Sequence, residues 1–276
     1  MKKKDSFLEK TNTWLQIIAA LFTILGISIF TLVGPLKSHI KLFRVSEAEA
    51  AIEQIKISES RAYIESVLGI PNITTTLDYY GSNDAAYDGQ KVVYNHELFL
   101  LIIYYDNSDS CLGYILVAKD PSFAPELFRG DHIFSMKMED SDIDNIGNLI
   151  AVGHFLNSRA DCSSYHIQYY SHHLGTNGCY LGVGVSDLGY WSKEYANSLT
   201  EYNEKLDEIT GNTYFEEITN DTRREYINRC QMFDSIKPNV FSVFDNANSL
   251  DINELLKTEL NCKLGLSHVE YRRITE

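Results

Sequence analysis

The sequence predicts an α+β protein held to a membrane. An N-terminal transmembrane helix is followed by a helix-plus-antiparallel-sheet unit and then by a second α+β unit with a β-hairpin and C-terminal helices. Three features of the chain lead there. Residues 14–33 (WLQIIAALFTILGISIFTLV) form a twenty-residue run with no charged side chain, enough to cross a hydrocarbon core of ~30 Å as a helix. Beyond that run the apolar period changes from helical to strand-like and back again. The composition, 44% hydrophobic and 22% charged, is that of a folded protein rather than a disordered one.

Charge is unevenly distributed. Residues 1–45 carry seven basic and two acidic side chains, which leaves 17 basic and 36 acidic on the remainder, a net of −19 within a total of −14. So acidic a domain is repelled by phosphate backbones, which excludes nucleic acid as the expected partner. The basic flanks of the apolar run suit lipid headgroups instead.

Met1 to Thr13 is a basic leader with Lys2, Lys3, Lys4 and Lys10. A cleaved signal core normally runs ~7–15 residues and ends at a small-residue site. Here the run is longer and ends in Val33-Gly34-Pro35, so a retained single-pass helix over 14–34 is expected. Trp14 sits where an interfacial aromatic belongs. Lys37, Lys41 and Arg44 follow the run. The positive-inside rule then points to an N-terminus in the cytoplasm and a soluble part outside it, by a margin of one or two charges.

Residues 35–45 read as a connector, 46–120 as the first α+β unit and 121–276 as the second. Ser46-Glu47-Ala48-Glu49 has the S-x-x-E form of a capping box. Ala48, Ile52, Ile55, Ala62 and Val67 recur at helical spacing, predicting one amphipathic helix as far as Leu68, stopped by Gly69 and Pro71. Val92-Val93-Tyr94 and Leu98 to Tyr105 read as strands, the second apolar on both faces and so central. Asp106 to Asp109 is a turn into a partner strand over Leu112 to Ala118. Pro121 and Pro125 mark the expected boundary. Leu149 to Phe155 is mostly apolar, and Ser164 to Ser171 is rich in strand-forming aromatics. The turn Gly175-Thr176-Asn177-Gly178 leads into Cys179 to Val185, predicting a hairpin. Helices are expected from Trp191 to Gly211, from about Asn220 to Asp234, and from Asp251 to Leu260.

Two resemblances arise from these stretches. Tyr63 to Pro71 (YIESVLGIP) with the alternating strands after it, over residues 60–120, resembles the helix-then-meander unit of the small lipoproteins of the outer-membrane barrel-assembly machinery. That likeness implies a fold and no chemistry. The apolar run, the L-G-x-P segment, Tyr165, Tyr169 and Tyr170 with Gly175-x-x-Gly178-x-Tyr180-x-Gly182, and Pro238-Asn239 are similar to a poorly characterised group of bacterial proteins with an N-terminal transmembrane helix. That similarity implies a bacterial inner-membrane setting, and it carries over no functional residue.

Several constellations could carry chemistry. His154, Cys162, His166, His172, His173 and Cys179 lie within 26 residues. On a strand His166 and His172 share a face, with Cys179 across the hairpin, a donor set that suits zinc. Their spacing matches no ligand pattern, and His172 and His173 point to opposite faces. Asp140, Asp142 and Asp144 open like a calcium loop, yet Asn145 and Ala151 stand where glycine and the bidentate glutamate belong. Gly182-Val183-Gly184 followed by Gly189 departs from G-x-G-x-x-G. Ser186 misses the nucleophile-elbow pattern because Leu188 stands two residues beyond it, and Asp187 reads as a turn residue. Cys111, Cys162, Cys179, Cys230 and Cys262 show no CxxC, so they read as small buried hydrophobes, with one bridge in the second half still compatible with export. No catalytic, cofactor-binding or metal residue is therefore assigned, and no cofactor is implied.

The eighteen tyrosines include the pairs Tyr79/Tyr80, Tyr104/Tyr105 and Tyr169/Tyr170. In a strand each pair puts one ring outward, where tyrosine makes a good protein contact, or caps a small core. The expectation is a membrane-anchored interaction, scaffold or sensor domain with a protein partner. The alternative is a membrane-tethered metal-dependent hydrolase around His166, His172 and Cys179, or a defence-type effector.

Overall fold

The computed structural model of the protein describes residues 44–80, 86–127, 136–137, 148–155, 165–174, 177–190, 197, 215–217, 238–245 and 264–275. The chain divides into two compact units, Met1–Glu47 and Ala48–Glu276. Of the first, only helical residues 44–47 are described. The 14–33 run, the Asp140–Asp144 loop, Cys162, Cys230, Cys262 and the helices expected over 220–234 and 251–260 lie outside the described residues. Among the described residues no helix is long and apolar enough to cross a membrane.

The second unit is built on one antiparallel sheet. Its strands are β1 (Ile73–Tyr80), β2 (Ala86–Asn95), β3 (Phe99–Tyr105), β4 (Cys111–Ala118), β7 (Asn148–Phe155), β8 (Tyr165–Leu174), β9 (Asn177–Ser186), β10 (Phe215–Glu217) and β11 (Val240–Asp245). They lie in the order β1-β2-β3-β4-β11-β9-β8-β7-β10, and β5 (Glu126–Leu127) and β6 (Met136–Lys137) form a separate two-stranded ribbon. The described helices are α1 (residues 44–52), α2 (Arg61–Leu68) and α3 (His268–Thr275).

The α+β class and the meander read from residues 92–118 are present. Every residue of β3 and of β4 is buried, as their two-sided apolar character requires of interior strands. The Asp106 carboxylate closes the turn between them, accepting from the Ser108 and Ser110 backbone N–H groups at 2.9 and 2.8 Å. The predicted hairpin is β8–β9, in register from Tyr165↔Ser186 to Leu174↔Asn177.

The expected boundary at Pro121–Pro125 does not divide the sheet. Strand β11, which the sequence reading missed, pairs with β4 on one side and with β9 on the other. It thus inserts a strand from residue 240 onward beside one that ends at 118. Strand β1 was missed as well, since three threonines separate its buried apolar positions Ile73 and Leu77.

One helix expected over 46–68 is two. Ser46 lies inside α1 rather than at its start. Residues 53–60 break the helical run, and Ser58 takes a left-handed backbone with φ 69°. The second helix has its own cap: the Ser60 hydroxyl accepts from the Tyr63 N–H. Residues 58–61 bond instead to the β3–β4 turn, with Ser58 N to Cys111 O at 2.8 Å, Cys111 N to Glu59 O at 2.9 Å and Arg61 N to Asp109 O at 2.8 Å. The Ser58 N–H, Glu59 carbonyl and Arg61 N–H find partners there that a continuous helix would have supplied internally.

Register and alternation assign the sheet faces. The first face carries Ile73, Val93, Ile102, Ile115, Val240 and Ile167, and Leu264 and Leu266 pack on it with Tyr271 and Ile274 of α3. Gln90, Tyr94, Tyr105 and Tyr114 belong to the second face, where the Arg61 guanidinium of α2 donates to the Gln90 side-chain oxygen Oε1.

Candidate functional site

Three polar constellations are built into this core. The first lies between the first face and the C-terminal segment. Lys91 of β2 sits between Thr75 of β1 and Tyr104 of β3 in the ladder. Its ammonium donates to the Gly265 carbonyl at 2.6 Å and pairs with the Glu270 carboxylate at 3.0 Å. The two side chains are 2% and 4% exposed. The Thr75 hydroxyl donates to the other Glu270 oxygen at 2.5 Å, and the Ser267 N–H donates to Glu270 at 2.6 Å while the Glu270 N–H donates to Ser267 Oγ at 3.3 Å. Burial pushes the Glu270 carboxyl up, but the bonds from Thr75 and Ser267 and the Lys91 charge outweigh it and hold it below the ordinary carboxylate range.

Asn239 forms the second, where β4, β9 and β11 meet. Its side-chain amide donates to the carbonyls of Ser186 at 2.8 Å and Tyr190 at 3.0 Å. Its side-chain oxygen accepts from Ser186 N at 2.8 Å, and its backbone joins Gly184 O and Ala118 N. Gly189 leaves room for this, since a Cβ there would stand 2.6 Å from both the Ala118 carbonyl and the Asn239 amide.

The third lies under α2. Arg61 Nε bonds Glu65 at 2.6 Å, and beneath them the Tyr94 and Tyr105 hydroxyls are buried without a hydrogen-bond partner. Burial raises both phenols, Tyr94 to about 12.

Of the residues singled out in the sequence, Ser186 and Tyr105 touch these constellations, and the histidines and cysteines fall elsewhere. His172 pairs with Cys179 across the hairpin and His154 with His166 across β7–β8. His166 and His172 both stand on β8. Six residues of strand nevertheless separate them by about 20 Å, so a single ion cannot take His166 together with His172 and Cys179. Among the described residues no three or more His, Cys, Asp and Glu side chains gather as a metal site. Cys111 and Cys179 are free and buried, and burial pushes both thiols up to about 12. This is the small-hydrophobe behaviour expected of them.

Gly182 and Gly184 do not cradle a phosphate; they stand inside β9. A Cβ on Gly182 would lie 2.1 Å from Ser242 Oγ and 2.7 Å from the Tyr169 ring, and one on Gly184 would lie 2.1 Å from the His166 carbonyl. Ser186 is fully buried, with its hydroxyl accepting from Leu188 N at 3.2 Å in the turn after β9. Tyr104 and Tyr105 point to opposite faces and both are buried, 1% and 0% exposed, because both faces of β3 are covered. Neither serves as an outward contact.

Lys91, Thr75 and Glu270 were not anticipated, and Asn239 entered only through a resemblance that carries over no role. Glu270 had a signal: Ser267-x-x-Glu270 is the S-x-x-E pattern, and here it does form the reciprocal capping box. Neither family models, nor curated proteins, nor solved structures give a match to this chain.

Proposed function

We propose that this chain is a single-pass membrane-anchored protein whose folded domain is a non-catalytic interaction, scaffold or sensor module held at the bilayer. The charge-free run from Trp14 to Val33, flanked by lysines, is the observation that carries the tether. The net −19 of the remaining chain supports a protein partner over nucleic acid. With Tyr104 and Tyr105 interior, the terminal strand β1 supports a contact surface better. Thr74 and Thr76 are exposed, and among the described residues β1 pairs with β2 alone. A strand end of a sheet offers backbone donors and acceptors to a partner.

A photo-crosslinking side chain in place of Thr76, in the full chain in native membranes, tests this reading. A discrete adduct of one mass is expected, lost when residues 14–33 are replaced by a soluble linker. Absence of any adduct, or a full-length chain extracted from membranes by alkaline carbonate, overturns it. A hydrolase reading needs a ligand set other than His166, His172 and Cys179 together.

A further inference from the structure

We propose that the C-terminal segment 264–275 is a strap that opens as a unit of its own, uncovering the first face of β1 and β2 while the interior strands stay folded. Besides the Asn95 side-chain amide donating to the Ile274 carbonyl at 3.3 Å, the polar fastening of the strap centres on Glu270. Glu270 collects Lys91, Thr75 and the Ser267 N–H, and the Gly265 carbonyl takes the same Lys91 ammonium. Leu264 and Leu266 join one apolar cluster with Ile73, Leu77 and Val93 and with interior-strand residues such as Ile102, and Tyr271 and Ile274 pack against it.

Three properties make this a fastening that lets go. The strap starts on two successive left-handed residues, Leu264 at φ 52° and Gly265 at φ 82°. Glycine adopts that backbone freely, whereas the leucine Cβ crowds the following carbonyl, so release relaxes Leu264. Helix α3 has eight residues, too few to stay helical without the sheet; opening is therefore a melting of the strap. The fastening itself is a buried ion pair. Apolar residues of similar volume commonly hold at least as well, and opening rehydrates both charges. Such a pair fixes one docked register and stabilises the closed strap less than a greasy contact would. Strands β3 and β4 share that apolar cluster, but they keep their ladders to β2, to each other and to β11 when the strap opens.

Native-state hydrogen exchange on the full chain in detergent micelles, under increasing sub-denaturing urea, tests the strap. Peptides over 264–275 are expected to exchange at least tenfold faster than those of β3 and β4, through an opening with a smaller urea dependence. Glu270→Gln leaves Lys91 buried without its counter-charge, and should speed strap exchange about a hundred-fold or more with β3 and β4 unchanged. The pair K91M/E270L should slow it below wild type. Strap and interior strands exchanging together in wild type would overturn the proposal. Should Glu270→Gln fail to fold, K91M/E270L decides alone, and strap exchange as fast as wild type or faster defeats the idea.

Discussion

The Glu270 carboxylate gathers Thr75, Ser267 and Lys91, and the Asn239 side chain makes three bonds to Ser186 and Tyr190. The docked Glu270 carboxyl titrates below its unfolded value because of Thr75, Ser267 and Lys91. Its contribution to stability is therefore complete above the unfolded value of about 4.3 and is lost as pH falls through the lower folded value. The melting temperature of Glu270→Gln should lie below wild type at pH 7, and the gap should narrow as pH falls through the lowered folded value, where wild type becomes protonated too; a gap independent of pH would remove the carboxylate from the explanation. For Asn239→Ala the buried groups at Ser186 and Tyr190 lose three bonds. Each stranded group costs about 1–3 kcal/mol, so urea denaturation should show a loss of several kcal/mol. A loss under 1 kcal/mol would mean water replaces the amide. Little of this was legible beforehand, because Lys91 and Glu270 are 179 positions apart and Asn239 meets Ser186 across 53. Spacing rules see only neighbours. The exception is Ser267-x-x-Glu270, a local pattern that the same reasoning applied to Ser46-x-x-Glu49 would have found.

Elements were readable where one local rule decided them. Leu98–Tyr105 and Leu112–Ala118 announced buried strands by uninterrupted apolar character, and Asp106 announced their turn. The helix over 46–68 failed because apolar spacing continues through 53–60 while the backbone does not. There the groups of Ser58, Glu59 and Arg61 bond the β3–β4 turn, and tertiary pairing overrides the helical period. The start of α2 therefore depends on Ser60, whose hydroxyl alone meets the Tyr63 N–H. Ser60→Ala should lower stability by about 1 kcal/mol, read as a shift in denaturation midpoint with unchanged slope, whereas Ser46→Ala should leave it in place. Equal losses would restore the cap to Ser46. Strand β11 escaped notice because six residues, VFSVFD, suit an isolated strand or a helix turn equally. What identifies it is the space left by its neighbours: Gly113 on β4 admits Phe244, and Gly182 on β9 admits Ser242. That is visible only once the strands are side by side.

The pairing of β11 with both β4 and β9 decides how the chain can be divided. Residues 46–120 contain a helix pair and four consecutive strands, which on sequence grounds make a self-sufficient unit. In the sheet, however, β4 is fully buried and hydrogen-bonded to β11 over Val240↔Val117 to Phe244↔Gly113. A fragment ending at 120 would expose that strand as a long, flat, apolar edge, the arrangement most prone to pair with other chains. It would also lose the first-face cover of Leu264, Leu266, Tyr271 and Ile274. The remainder, 121–276, would keep β9 and β11 but strip β11 of one whole ladder. Expressed separately, the fragments 46–120 and 121–276 should each aggregate or stay without a cooperative thermal transition. Expressed together, they should co-purify as one complex that melts as a single unit, because β11 can still close onto β4. Calorimetry and gel filtration distinguish the outcomes. A sharp, concentration-independent transition for 46–120 alone would show that the first four strands carry their own core and that β11 only borders them.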